Sequence, residues 1–160
     1  MKNIGLTDTN VTYDGSSQIF TVTGAPEGST ILYSLDGVSY QSDLNLVNAG
    51  EYTVYYKISH PDYNDYTGQT IFTIRKRSLT VTWLSKEIEY NGNKQIPPYE
   101  LGNIIPGDEV DIIVNDVYYK EDVFQGTAEG YYAQAKEVTN PNYEIRSGIS
   151  SVTFKIVPKV

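Results

Sequence analysis

His60 is the only histidine in the chain, and so the only side chain whose ordinary pKa suits proton transfer near neutrality. It precedes Pro61 just after a strand-like run, and the corresponding position later in the chain is Asn140. A Ser-His-Asp arrangement needs a base that is oriented by one neighbour and faces a nucleophile; this setting reads instead as a surface loop. Asp62-Tyr63-Asn64-Asp65 offers oxygen ligands at close spacing, the donor type that suits Ca²⁺. The glycine and further acidic ligand of a calcium loop are missing. Asp62, Asn64 and Asp65 therefore fit a metal site poorly, and a solvated Asx turn accounts for them. Asp108, Glu109 and Asp111 make a second acidic cluster, with Asp108 expected in a turn and the other two on the outward face of a strand. No nucleophile–base pair or carboxylate pair recurs along the chain. It is expected to be no enzyme and to carry no cofactor.

The aromatic residues are the stronger binding candidates. There are 15 Tyr against 4 Phe and 1 Trp, and exposed rings can stack on sugars or anchor a protein partner. Strand phase or loop position leaves Tyr55, Tyr63, Tyr66, Tyr118 and Tyr132 as the rings to watch. The competing account is that tyrosines pave both faces of thin sheets, ring packed and hydroxyl wet. Arg75-Lys76-Arg77 is the one basic run and is expected to pair with carboxylates across a domain junction, where exposed pairs contribute only about 0–1 kcal/mol each. No lysine sits in an identifiable first-strand motif with an asparagine near the last strand, so a Lys–Asn cross-link is not expected.

These residues are positioned by strands. Glu51-Tyr52-Thr53-Val54-Tyr55-Tyr56-Lys57-Ile58 alternates, with Tyr52, Val54, Tyr56 and Ile58 on one face. A shift of 79 positions superposes Gly28–Lys57 on Gly107–Lys136 without a gap, matching Tyr40 to Tyr119, Asp43 to Asp122 and Tyr52 to Tyr131. Upstream, Tyr13-Asp14-Gly15 answers to Tyr90-Asn91-Gly92; downstream, Pro61-Asp62-Tyr63 answers to Pro141-Asn142-Tyr143 and Phe72-Thr73-Ile74 to Phe154-Lys155-Ile156. The chain contains a duplication, in domains 1–76 and 77–160. The one-residue slip after Lys136 is what a β-bulge in the second copy produces. Tyr13, Tyr52, Tyr90 and Tyr131 recur and read as core and corner residues.

Expected strands in the first copy are Ile4–Tyr13, Gln18–Thr23, Thr30–Leu35, Val38–Gln41, Glu51–Ser59 and Thr70–Lys76. In the second they are Leu79–Tyr90, Val110–Val114, Val117–Lys120, Tyr131–Val138 and Ser151–Val157. Asp36-Gly37, and Asn115-Asp116 in its place, are expected as two-residue hairpin turns. Pro26-Glu27-Gly28 and Pro106-Gly107-Asp108 read as matching turns. No segment sustains a 3.6-residue period. With no Gly- or Pro-rich linker near Ser78, the two units are expected to form an elongated tandem rather than one merged core.

Composition narrows the setting. A formal charge of −8 disfavours nucleic acid and anionic membrane surfaces. There is no cysteine, which excludes disulfides and thiolate metal sites. No apolar run is long enough for a transmembrane helix. Neither a signal peptide nor a sorting motif is seen, as expected of a fragment of a larger protein.

The string Tyr-Asp/Asn-Gly, Gly-Asp-Glu, Ala-x-x-Tyr, Asn-Tyr, Phe-x-Ile resembles the MBG repeat of bacterial surface proteins. Its carriers are Tyr90-Asn91-Gly92, Gly107-Asp108-Glu109, Ala128 to Tyr131, Asn142-Tyr143 and Phe154-Lys155-Ile156; the first copy has Pro-Glu-Gly-Ser in place of Gly-Asp. Ala49-Gly50-Glu51-Tyr52 also resembles the strand after a corner turn in bacterial immunoglobulin-like domains, where a tyrosine hydroxyl can bind backbone. The fold expected is all-β, two small Ig-like β-sandwiches in tandem, with β-grasp-like units as the alternative. The resemblance implies a secreted, cell-surface module of adhesin-like proteins, without catalysis. Such a module is monomeric, adjoins further repeats of its own polypeptide, and meets a host protein or glycan. The alternative function is a carbohydrate-binding accessory module of a secreted or surface-anchored glycan-processing protein.

Overall fold

A computed structural model describes residues 1–92, 95–118 and 128–158, with backbone alone over 115–118 and 128–130. The chain is all-β, with no helix among the described residues, and divides into two compact units, Met1–Lys76 and Arg77–Val160.

Unit 1 contains β1 (Gly5–Thr7), β2 (Asn10–Thr12), β3 (Thr21–Thr23), β4 (Thr30–Ser34), β5 (Gly50–His60) and β6 (Tyr63–Arg75). A four-stranded sheet runs in the order β2-β6-β5-β4, and β1 pairs with β3 in a separate two-stranded sheet. β2 lies parallel to β6; the other pairs are antiparallel. The segment expected as one strand, Ile4–Tyr13, is divided because Asp8 takes a left-handed φ of 53°, which a short polar side chain tolerates. Its two halves thereby serve different sheets. Gln18 does not extend β3: its N–H instead donates to the Leu46 carbonyl at 2.9 Å.

The alternation of β5 directs Val54, Tyr56 and Ile58 into the core, and Phe72, Ile74, Tyr13 and Tyr33 of the same unit are buried too. Phe20 bridges this group, its ring 4.9 Å from Tyr33 and 5.0 Å from Phe72. Each fully buried aliphatic or Phe side chain stabilises the unit by about 1.5–3 kcal/mol relative to exposure.

Unit 2 contains β7 (Arg77–Trp83), β8 (Glu87–Glu89), β9 (Tyr99–Gly102), β10 (Ile112–Tyr118), β11 (Ala128–Val138), β12 (Tyr143–Ile145) and β13 (Ser150–Val157). Its four-stranded sheet, β8-β13-β11-β10, repeats the strand order and directions of unit 1, with β8 parallel to β13. The repeated tyrosine motif has one geometry in both. Tyr13 N–H donates to Arg75 O, and Tyr90 N–H to Val157 O, each at 2.8 Å. Tyr131, Ala133 and Ala135 are buried while Lys136 is exposed, as the gapless superposition requires. The expected bulge is present: Ile113 faces Glu137 and Val114 faces Ala135, so Lys136 is the extra residue.

Other expectations need correction. Asn115-Asp116 is no turn; both residues lie within β10. Tyr119, Lys120 and Asp122 lie outside the described residues. Asp36-Gly37 does turn the chain, but in a longer loop closed by Tyr33 and Gln41, which exchange two backbone hydrogen bonds of 2.7 and 2.8 Å. Val38–Gln41 accordingly forms one isolated bridge and no strand. Finally, β9 and β12 were not foreseen: Pro97 and Pro98 hide the first, and the second is only three residues long.

β12 marks where the units diverge. In unit 1 the chain turns at Pro61-Asp62 and β6 follows at once, with His60 facing Tyr63. In unit 2 the matching segment leaves the hairpin and adds to β7, giving a sheet ordered β12-β7-β9. Two differences explain the detour. Ile145 stands where unit 1 has Asp65 and is buried, whereas Asp65 stays in solvent. Gly148 and Phe154 are also six positions apart where Gly68 and Phe72 are four, which gives the chain room to return.

Candidate functional site

The residues singled out for chemistry are scattered and structurally employed. His60 Nδ1 accepts the Asp62 N–H at 3.0 Å, and Nε2 lies 3.0 Å from the Glu27 carbonyl. The two contacts are satisfied together by the neutral tautomer with its proton on Nε2. His60 thus ties the 26–29 turn to the β5–β6 hairpin. Asn64 and Asp65 are successive residues of β6 and so project to opposite faces. Asp65 lies 3.8 Å from the Lys57 ammonium. No group of three metal-ligating side chains occurs among the described residues.

Asp108 and Asp111 have tyrosine partners. Tyr143 donates its hydroxyl to Asp108 Oδ2 at 2.7 Å and accepts the Ile105 N–H at 2.9 Å. Tyr99 donates to Asp111 Oδ1 at 2.6 Å, and that hydrogen bond, followed by burial, pushes the Tyr99 phenol up to about 12. Asp111 precedes β10 and caps it by accepting the Ile112 N–H at 2.8 Å, so the expected place on an outward strand face is corrected. The basic run also departs from expectation. Arg77 binds the carbonyl and side-chain oxygens of Asn103, both at 2.8 Å, and Arg75 reaches the Thr12 hydroxyl at 3.3 Å. Each of these partners is uncharged and lies within the arginine's own unit.

Among the five tyrosine candidates, Tyr63 is exposed and edge-on to His60 at 5.1 Å. Tyr66 is half-buried and stacked on Tyr56, with ring centroids 6.3 Å apart. Tyr132 is exposed on β11 opposite Tyr118, whose side chain lies outside the described residues. Tyr63 and Tyr66 belong to unit 1 and Tyr132 to unit 2.

Tyr55 does face a cleft. An open depression of about 450 Å³ is lined by Gly37, Tyr40, Tyr55, Thr67, Gly68 and Gln69. One wall is β6, where Gln69 pairs across from Tyr55 and Thr67 from Lys57. The other is the 34–40 loop. Ser34, completely buried, accepts the Gly37 and Asp36 N–H groups at 2.9 and 3.2 Å and donates to Asp36 Oδ1 at 2.8 Å. Asp36 Oδ1 in turn accepts the N–H groups of Val38 and Ser39 at 2.8 and 2.9 Å. These bonds, first those from Ser39 and Val38, hold the Asp36 carboxyl below its ordinary pKa. Gly37 has a φ of 76°, and a Cβ there would stand 3.4 Å from Tyr55 Cε1, so the loop rests on the ring. Tyr40 belongs to this cleft and is not among the tyrosines that strand phase or loop position singled out. A second depression, of about 300 Å³ and mainly apolar, lies in unit 2 beside Leu79, Val81, Ile145 and Ile149.

Neither a curated protein nor a solved structure matches the chain. Residues 2–78, which span nearly all of the first unit, do match the family model of the MBG domain.

Proposed function

We propose that the chain is a tandem of two MBG-type, Ig-like repeats forming a non-catalytic stalk or adhesive segment of a bacterial surface protein. The observation that carries this reading is the repeated sheet. β2-β6-β5-β4 and β8-β13-β11-β10 share strand order and strand directions, and residues 2–78 match the family model. A short first strand parallel to the last, followed by two antiparallel neighbours, corresponds to one sheet of an Ig-like sandwich; the Tyr52 hydroxyl bond to Asn48 O at 2.6 Å adds the tyrosine corner of such folds. Ser34, the buried polar side chain among the described residues, is engaged in loop closure, a structural use.

On this reading the protein is monomeric, follows or precedes further repeats of its own polypeptide, and meets a host protein or glycan. An antibody raised against the chain tests the setting. It should label intact cells of the source bacterium, and the label should vanish after brief treatment with external protease. Signal that appears only after lysis would overturn the surface assignment. The repeat assignment is tested separately by expressing residues 1–76 and 77–160 alone, each of which should unfold cooperatively.

A further inference from the structure

The cleft against Tyr55 is built before any ligand arrives. Five hydrogen bonds among Ser34, Asp36, Gly37, Val38 and Ser39 fix the loop, and the two Tyr33–Gln41 bonds close its base. Loop and strand thus present two phenol rings, a carboxamide and a hydroxyl around one depression without a single ionised lining residue. In a chain of net charge −8, an uncharged lining suits neither an anion nor a cation. Lys57 is the nearest cation along β5, and it faces Asp65. What fits instead is a neutral molecule with an apolar face for the rings and many hydroxyls for Gln69, Thr67 and the phenols. A pyranose has that composition. The cleft also falls within the usual size range of small-molecule sites, roughly 300–1,000 Å³.

Unit 2 supplies an internal comparison. Where Tyr55 faces Gln69, unit 2 has Gln134 facing Ser151, and β10 (Ile112–Tyr118), with an irregular register, occupies positions that match part of the unit 1 loop.

We propose that the Tyr40–Tyr55–Gln69 cleft of unit 1 is a binding site for a neutral pyranose, with Tyr55 as the stacking ring and Gln69 as the hydrogen-bonding group. The site lies wholly within unit 1 and does not depend on the stalk reading, so either can fail without the other. The test is amide NMR on the full chain, titrated to high millimolar concentration with the methyl glycosides of glucose, galactose, mannose and N-acetylglucosamine. At least one should shift the amides of residues 36–40 and 67–69 and leave those of unit 2 in place. Tyr55→Ala should abolish these shifts, and Gln69→Leu, at an exposed strand position that spares the fold, should weaken binding by about tenfold. If Tyr55→Ala loses its native spectrum, Gln69→Leu and Tyr40→Ala carry the test. No shift with any of the four glycosides, shifts centred outside the cleft, or undiminished binding in the variants would each overturn the proposal.

Discussion

Tyr52 donates its hydroxyl to the backbone carbonyl of Asn48 at 2.6 Å, pinning the turn that feeds β5. The ring is only half-buried, so water can replace part of what the bond supplies. Tyr52→Phe keeps the ring and removes the bond. It should destabilise the protein by about 1 kcal/mol, read as a lower urea midpoint at an unchanged slope. A midpoint identical to that of the parent would mean that the corner is held by other contacts.

Tyr63 and Tyr143 occupy matching positions of the two copies and have opposite environments. Tyr63 is 48% exposed, whereas Tyr143 is 2% exposed, with its hydroxyl between Ile105 N–H and Asp108. Tyr143→Phe leaves a part-buried N–H and a carboxylate without that hydroxyl and should cost about 1–3 kcal/mol. Tyr63→Phe should stay within about 0.5 kcal/mol of the parent. Equal effects in the two variants, measured by chemical unfolding, would contradict the different burial.

That contrast shows what the sequence made legible. The buried faces of the long strands β5 and β11 and the bulge at Lys136 follow from side-chain alternation, because a one-residue slip would reverse the buried face. The detour through β12 was not legible: it depends on Ile145 in place of Asp65 and on two extra residues, small local changes whose effect is decided by the neighbouring sheet. The division of Ile4–Tyr13 at Asp8 was hidden likewise, since both halves keep strand-like composition while a single φ of 53° sends them to different sheets. For the candidate site, Tyr55 was legible from strand phase. Tyr40 and Gln69 join it only through loop closure and cross-strand pairing, neither of which is written in the local pattern.

The Asp36 carboxylate organises the cleft loop, and acid should undo it. Its pKa lies below the ordinary 3.8, chiefly through the Ser39 and Val38 N–H bonds. As pH falls, the unfolded chain takes up this proton first. The stabilising contribution is therefore complete above about 3.8 and is lost as pH drops through the lower folded value. The amide resonances of Val38 and Ser39 should titrate together with a midpoint below 3.8. A midpoint at or above that value would show that the loop bonds do not persist in solution.

Alkali should act through Tyr99. Its phenol is raised from 10.0 to about 12, first by the hydrogen bond to Asp111 and then by burial. Between about 10 and 12 the folded chain keeps a proton that the unfolded chain has released, so stability falls with rising pH across that window and is complete below it. Burial raises Tyr33, Tyr56 and Tyr143 in the same direction, so part of the loss remains without Tyr99. Tyr99→Phe should therefore be less stable than the parent near neutrality but lose less of its stability on transfer to about pH 11.5. Urea midpoints of both proteins at the two pH values measure this difference, and parallel losses would show that the Tyr99–Asp111 bond does not hold the phenol proton.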